Sequence, residues 1–189
     1  PVEPNDRTSF LSIQSTNPLP QAVEEKESFL DLVWSEHNED KSLMLSIVKD
    51  GDYVGYCGIK NTAQPVWEIA IELLPAWRKH GIGFIALSAM LSEMKSRLGV
   101  THYIVRIEPV NLASQKLFEK LGATPHGIVD IWFHEQSTIE KCEEAGLHLI
   151  DDGMIAVAQK FNVEPQKLLS HVLEYELLWS GKEVTDGSI

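Results

Sequence analysis

The segment Arg78–Gly83, "RKHGIG", combines two glycines with two basic residues placed just before them. Glycine lets the backbone approach a ligand closely, and the first turn of a helix offers unpaired amides at the positive end of its dipole. The segment could therefore form a phosphate-binding loop, although on its own it fits a plain turn between strand and helix better. The patterns of a Walker A loop and of a dinucleotide fingerprint are both absent.

Two carboxylates lie just upstream, in the predicted strand "VWEIAIELL". Side chains alternate between the two faces of a strand, so one face carries Trp67, Ile69, Ile71 and Leu73. Glu68 and Glu72 share the opposite face. Such carboxylates are candidates for general-base chemistry, and solvated strand carboxylates are the alternative interpretation.

The flanking elements form a consistent α/β pattern. Asp50-Gly51 predicts a hairpin turn between strands 43–48 and 53–59. A helix is predicted from Gly83 to a stop at Gly99, followed by a strand in "HYIVRIE". "NLASQKLFEKLG" predicts a second helix, capped by Asn111 and ended by Gly122. "GIVDIWF" predicts the last strand of this series.

The two ends of the chain are less regular. "SFLSIQS" is interpreted as a short strand, and "PQAVEEKESFLDLVWSEH" as a helix. The tail from Ser137 to Trp179 is interpreted as helical, with apolar faces that pack on the core, cover a substrate site or form the seam of a homodimer. The predicted organisation is a domain over 1–135 and a helical extension over 136–189.

Composition limits the function classes. The chain has 189 residues, with 16 Lys+Arg against 28 Asp+Glu and a net charge of −12. This acidity argues against a nucleic-acid partner and suits a cationic substrate. We expect no disulfide framework, no membrane span and a cytoplasmic location. The histidines and cysteines show no metal-ligand spacing, so no metal is expected.

Taken together, Arg-x-x-Gly-x-Gly opening a helix, then a strand, then Asn-x-x-Ser-x-x-Leu-Phe-x-Lys-Leu-Gly, resemble the GNAT superfamily of N-acetyltransferases. The resemblance covers roughly residues 42–133. It is similar in style to the ribosomal-protein N-terminal and polyamine acetyltransferases. It implies a GNAT-like α+β fold, a mixed and mostly antiparallel sheet with flanking helices, here with the helical extension added.

The resemblance also assigns a binding site for acetyl-CoA. The amides of the loop would hold its pyrophosphate, and the loop residues are Arg78, Lys79, His80, Gly81, Ile82 and Gly83. The main chain of Leu73 and Leu74 would pair with the pantetheine arm, and the Leu73 amide would face the thioester oxygen as an oxyanion donor. Asn111 would hydrogen-bond the pantetheine arm.

By the same resemblance, Glu68 is the first candidate for the base that takes a proton from the amine, and Glu72 is the second. Many family members protonate the leaving thiolate with a tyrosine at the position of Phe118, which has no hydroxyl. Ser114 or water would then supply the proton, and Ser114 is equally suited to hydrogen-bonding the cofactor. Lys79 and Ala123 also depart from the family pattern, and neither departure is expected to abolish cofactor binding.

The resulting prediction is an acetyl-CoA-dependent N-acetyltransferase that acts by direct attack of a primary amine in a ternary complex. The acceptor would be a small molecule or a protein N-terminus. The alternative is a non-catalytic acyl-CoA-binding protein with a partner-binding tail. "MIAVAQKFNVEPQKLLSHVLEY" also resembles a helix-turn-helix, but its second helix lacks the basic residues that contacts with DNA phosphates need.

Overall fold

The computed structural model describes residues 6–14, 26–130 and 135–181. It falls into two units. The first contains the described residues up to Thr101 together with those from Trp179 onward, and the second is His102–Leu178. Both cysteines, Cys57 and Cys142, are free thiols, as expected for a chain without a disulfide framework.

Among its described residues, the first unit contains three strands and three α-helices. In chain order these are α1 Arg7–Gln14, α2 Lys26–His37, β1 Leu43–Lys49, β2 Asp52–Ile59, β3 Trp67–Leu73 and α3 Ile82–Leu98. The strands pair antiparallel in the order β1-β2-β3. Helix α3 packs on β2 and β3, and α1 packs on β2.

The hairpin and α3 are confirmed. Asp50 and Gly51 both have positive φ, 55° and 91°, as a tight hairpin turn requires. Helix α3 ends at Gly99, which has a φ of 70° and whose amide bonds to the carbonyl of Lys95. This is the glycine stop that the sequence indicates.

The predicted short strand near the N-terminus is wrong, because Arg7–Gln14 forms the helix α1. Phe10 and Ile13 are three residues apart, which places both on one helical face, and both are fully buried. They form a core cluster with Met44 of β1 and Tyr56 of β2. In a strand, Phe10 and Ile13 would point to opposite faces and could not both join this cluster.

In the part of the second unit that the structure describes, there are three strands and three α-helices. In chain order these are β4 His102–Ile107, α4 Leu112–Leu121, β5 Thr124–Val129, α5 Gln136–Gly146, α6 Asp152–Phe161 and β6 Val172–Leu178. Short 3₁₀ turns lie at Leu147–Leu149 and Pro165–Leu169. The strands pair antiparallel in the order β4-β6-β5. Residues 131–133 of the predicted last strand lie outside the described residues.

The second half of the tail was predicted incorrectly. Residues 172–178 form a strand and 165–169 a 3₁₀ turn, so the reading helix of a helix-turn-helix is absent from this segment. The strand β6 alternates apolar and acidic residues, with Leu173, Tyr175 and Leu177 fully buried. This alternation has the period of a strand and outweighs the helical reading. The division of the chain at residue 135 stays a prediction.

The predicted α+β class, mostly antiparallel strands with flanking helices, is confirmed. In the described part of the chain no helix is long and apolar enough to cross a membrane. The same residues contain no group of His, Cys, Asp and Glu side chains that could hold a metal ion.

Candidate active site

The loop after β3 is built from a 3₁₀ turn and two left-handed residues. Pro75–Trp77 form the turn, Lys79 has a φ of 65°, and Gly81 has a φ of 77° and precedes α3 as its N-cap. A side chain at Gly81 would be strained by this φ, although its Cβ would meet no atom within 4 Å. The loop therefore needs glycine for its backbone path and has open space in front of it.

The amides at the C-terminal end of this loop make no hydrogen bonds within the described part of the protein. From Lys79 to Gly83, no backbone N–H finds a hydrogen-bond acceptor among the described residues. The first bond of α3 runs from the Ile85 amide to the Gly81 carbonyl, over 3.2 Å. Unpaired amides at a helix N-terminus attract anions, and the exposed Arg78 and Lys79 add positive charge.

Arg78 also ties the loop to the end of β3. Its Nε donates a hydrogen bond to the Leu73 carbonyl over 2.9 Å. Its amide donates to Pro75 over 3.3 Å. The remaining guanidinium N–H groups make no hydrogen bond to a described residue. The side chain is held in place at one nitrogen and can still offer donors to an anion.

The register of β2 and β3 fixes the direction of the backbone at the end of β3. Leu74 donates to the Val54 carbonyl over 2.9 Å and accepts from the Trp77 amide over 2.9 Å. Antiparallel pairs alternate between bonded and non-bonded residues, so the amide and carbonyl of Leu73 point away from β2. Of the two residues predicted to pair with a cofactor, Leu74 already uses its polar backbone groups within the protein.

Glu68 and Glu72 lie on the same face of β3, as the alternation predicts. Glu72 is the cross-strand partner of Tyr56, and Ala70 between the two glutamates packs against the cluster of Phe10, Met44 and Tyr56. Both glutamates therefore lie on the face of the sheet that α1 covers.

Lys60 is a partner of Glu68 that the sequence analysis did not identify. Lys60 Nζ lies 2.5 Å from Glu68 Oε1, and the Glu68 side chain is 14% exposed. The Lys60 amide also donates to the Glu68 carbonyl over 3.0 Å. The pair depends on the register of β2 against β3. This register cannot be predicted from the sequence of the connection 60–66.

Asn111 and Ser114 belong to the second unit, at the start of α4. The Asn111 side-chain oxygen accepts a hydrogen bond from the Ser114 amide over 3.1 Å, which confirms Asn111 as the N-cap. Ser114 is half-buried, and its hydroxyl makes no hydrogen bond to a described residue. Phe118 is buried and offers no proton donor.

A groove of about 370 Å³ in the first unit lies away from these residues. It runs between α3 and the strands β1 and β2, with Leu45, Cys57, Met90 and Met94 in its lining. Burial raises the pKa of the Cys57 thiol to about 12, so this thiol stays protonated. None of the predicted site residues lines the groove.

Comparisons with known proteins bear on the whole chain. Residues 1–124 match the family model described as an acetyltransferase (GNAT) domain. Comparison with curated proteins gives no match.

Among solved structures, the chain is similar to the spermidine N-acetyltransferase from Vibrio cholerae in complex with CoA and spermine. The identity is 12% over 95% of this chain and 94% of that chain, with a TM-score of 0.61. It is also similar to a ribosomal L7/L12 alpha-N-protein acetyltransferase in complex with coenzyme A, at 13% identity over 96% of this chain and 93% of that chain, with a TM-score of 0.62. At these identities the structures show a shared fold, which confirms the GNAT-like fold class.

Proposed function

Because the chain belongs to the acetyltransferase (GNAT) domain family, we propose that it transfers the acetyl group of acetyl-CoA to a primary amine, on a small molecule or at a protein N-terminus. The observation that carries the proposal is the run of amides from Lys79 to Gly83 without an acceptor at the start of α3. The family as a whole uses acetyl-CoA, and a fold neighbour was solved with coenzyme A.

The residues present fit the pyrophosphate of acetyl-CoA. The loop amides would bind its oxygens, and the space in front of Gly81 would admit them. Arg78 and Lys79 would balance the negative charge in a chain whose net charge is −12. When bound, acetyl-CoA supplies an acetyl group activated as a thioester.

Leu73 and the start of α4 would complete the cofactor contacts. The Leu73 amide points away from β2 and is the proposed oxyanion donor. Asn111 is proposed to hydrogen-bond the pantetheine arm through the part of its amide that does not cap α4. For the thiolate proton, Ser114 and water stay the candidates, because Phe118 has no hydroxyl.

The amine must lose a proton before it attacks, since an alkylammonium has a pKa of about 10.4. Two observations support Glu72 ahead of Glu68 as the group that accepts this proton. Strands rise about 3.3 Å per residue, so Glu68 lies roughly 16 Å along β3 from Leu73, whereas Glu72 is the adjacent residue. Lys60 also occupies Glu68, because its Nζ forms an ion pair with Glu68 Oε1 over 2.5 Å. Glu68 would act only through a chain of waters.

The alternative function is binding of acyl-CoA without catalysis, and the missing hydroxyl at Phe118 favours it. Calorimetric titration with CoA, followed by thiol release from acetyl-CoA across a panel of amines, separates the two. The panel contains polyamines, small primary amines and peptides with free N-termini. We expect micromolar-range CoA affinity in the parent and none in Gly81→Asp, whose carboxylate would repel phosphate from an already strained position.

The proposal fails if the parent protein binds no CoA. If it binds CoA but releases thiol with no amine of the panel, the non-catalytic alternative replaces it.

A further inference from the structure

Gln115 is a buried side chain of α4 in the second unit, only 2% exposed. Its Nε2 donates a hydrogen bond to the Pro109 carbonyl over 2.8 Å. Its backbone amide donates to the Asn111 carbonyl over 3.2 Å. One residue therefore holds the chain on both sides of Val110, in the connection between β4 and α4.

The residues that flank Asn111 contribute little packing. Val110 is 76% exposed and Leu112 is 50% exposed. Pro109 has no amide hydrogen, and among the described residues its carbonyl accepts only the bond from Gln115. Without the Gln115 amide, the carbonyl of this buried proline would lose its partner, and the connection would shift to find another.

The orientation of the Gln115 amide is fixed by its neighbours. A carbonyl only accepts hydrogen bonds, so the NH₂ group faces Pro109 and the amide oxygen faces the Tyr175 hydroxyl, 3.4 Å away. The Tyr175 hydroxyl donates to Glu119 over 2.9 Å, and Lys160 donates to the same carboxylate over 2.6 Å. Burial disfavours the charge of Glu119, but these two hydrogen bonds outweigh it and lower its pKa. The Gln115 donor is thus directed towards the connection.

We propose that Gln115 is a positioning residue for the pantetheine arm of acetyl-CoA: by holding the carbonyls of Pro109 and Asn111, it directs the Asn111 side chain towards the arm. The inference rests on the proposed function. Asn111 is exposed, and its side-chain oxygen accepts a hydrogen bond from the Ser114 amide, so its NH₂ group is the part that remains for a ligand. The direction of this NH₂ group follows from the backbone of Asn111, which Gln115 holds. Gln115 itself is buried and acts through Asn111.

The test is a double-mutant cycle of Gln115→Met and Asn111→Ala, followed by calorimetric titration. Methionine keeps the length of glutamine and has no amide. Each protein is titrated with CoA and with the nucleotide part of CoA, which carries the phosphates and lacks the pantetheine arm. Tyr175→Phe is the matched control, because it removes a hydrogen bond beside Gln115 and leaves the bond to Pro109 intact.

For Gln115→Met we expect the Kd for CoA to rise about fivefold, the size of one hydrogen bond between neutral groups, with an unchanged Kd for the nucleotide part. Asn111→Ala should give the same rise. The double variant should show no larger rise than either single variant, because Gln115 acts through Asn111. For Tyr175→Phe we expect a lower melting temperature and an unchanged Kd for both ligands.

Gln115→Glu is the second variant, and it tests the donor even if Gln115→Met does not fold. Its carboxyl can donate to the Pro109 carbonyl only while it is protonated, and burial raises the pKa of such a carboxyl. Relative to the parent at each pH, its affinity for CoA should be nearly normal at about pH 5 and about fivefold weaker at about pH 8.

An unchanged Kd for CoA in either Gln115→Met or Asn111→Ala would overturn the inference. Equal losses of affinity for CoA and for its nucleotide part would also overturn it, since a general structural defect affects both ligands. Additive effects of the two substitutions, or a relative affinity of Gln115→Glu that does not change with pH, would have the same consequence. A parent protein that binds no CoA would instead overturn the proposed function, and the inference with it.

Discussion

Among single residues, Glu68 and Glu72 lie on the same face of β3 but have different surroundings. Both lie on the face covered by α1, but Glu68 is paired with Lys60 at 2.5 Å and is 14% exposed. A partly buried carboxylate with a lysine partner is explained by structure alone. Glu72, next to the proposed oxyanion donor Leu73 and close enough to Tyr53 to raise its pKa, has a position that chemistry explains better.

The first prediction concerns these two carboxylates. Glu72→Gln should lower turnover by about 10²-fold or more, because general-base catalysis contributes 10²–10⁴-fold. Glu68→Gln should lower it less. CoA affinity, measured by calorimetry, should be the same in both variants and in the parent.

Full activity of Glu72→Gln at all pH values, together with a loss in Glu68→Gln, would reverse the assignment. Lys60→Met is the control for the ion pair. When it is combined with each glutamine variant, the ratio of the activities of Glu72→Gln and Glu68→Gln should stay the same as without it.

At the scale of elements, the close approach of β2 to β3 depends on Gly55. A Cβ at this position would lie 2.2 Å from the Glu72 carbonyl and 2.8 Å from the Leu73 side chain. Real Cβ atoms do not approach other atoms so closely, so β2 and β3 would have to separate. The glycine is therefore required where β2 passes close to the end of β3, beside the candidate site.

The second prediction is that Gly55→Ala destabilises the protein by about 2–3 kcal/mol, a loss typical of a steric conflict in the core. Gly127→Ala is the control, since a Cβ there would meet no atom within 4 Å. Chemical denaturation of both variants measures the free energy of unfolding. Equal values for the two would show that the close approach at Gly55 does not exist.

A third prediction concerns Glu143 of α5. Burial disfavours its charge, but hydrogen bonds from Lys167 and Ser170, with the charge of Lys167, outweigh burial and lower its pKa below the usual value. A lowered pKa stabilises the fold above the unfolded pKa of about 4.5, and this stability is lost as pH falls through the folded value.

The melting temperature of the parent should therefore fall more steeply than that of Glu143→Gln as the pH is lowered below about 5. Thermal melting at a series of pH values measures the two slopes. Parallel curves for the two proteins would refute the lowered pKa.

The elements also show which features sequence patterns can predict. Glycine and asparagine signals predicted the turn at Asp50-Gly51, the end of α3 at Gly99 and the cap at Asn111, because each acts within a few residues. The register shift between β1 and β2 at Ile47/Val48 and the Lys60–Glu68 pair depend on how separate strands align, which no local signal specifies.

At the scale of the whole molecule, the tail is part of the fold of the second unit. Strand β6 lies between β4 and β5, and Leu173, Tyr175 and Leu177 are fully buried. The alternation "LEYEL" carried the signal for a strand, and the helical spacing of neighbouring leucines concealed it. The predicted helical extension thus contributes a central strand in addition to its helices.

The fourth prediction follows from this position. Deletion of residues 137–189 should leave β4 and β5 without their shared partner and expose a large apolar surface, since each buried leucine contributes about 1.5–3 kcal/mol. We expect the truncated protein to aggregate, as measured by light scattering and size-exclusion chromatography. A soluble truncation with the parent's melting temperature would mean that β6 is dispensable.

The central claim is acetyl transfer to a primary amine through the loop of Lys79–Gly83, and the transfer of label from acetyl-CoA tests it most directly. The purified protein is incubated with acetyl-CoA labelled in the acetyl group and with the amine panel, and the label is followed into product beside thiol release. The account predicts labelled N-acetyl product in equal amount to the thiol for at least one amine, and none with Gly81→Asp. Thiol release without labelled amine, or equal product from Gly81→Asp, would contradict it.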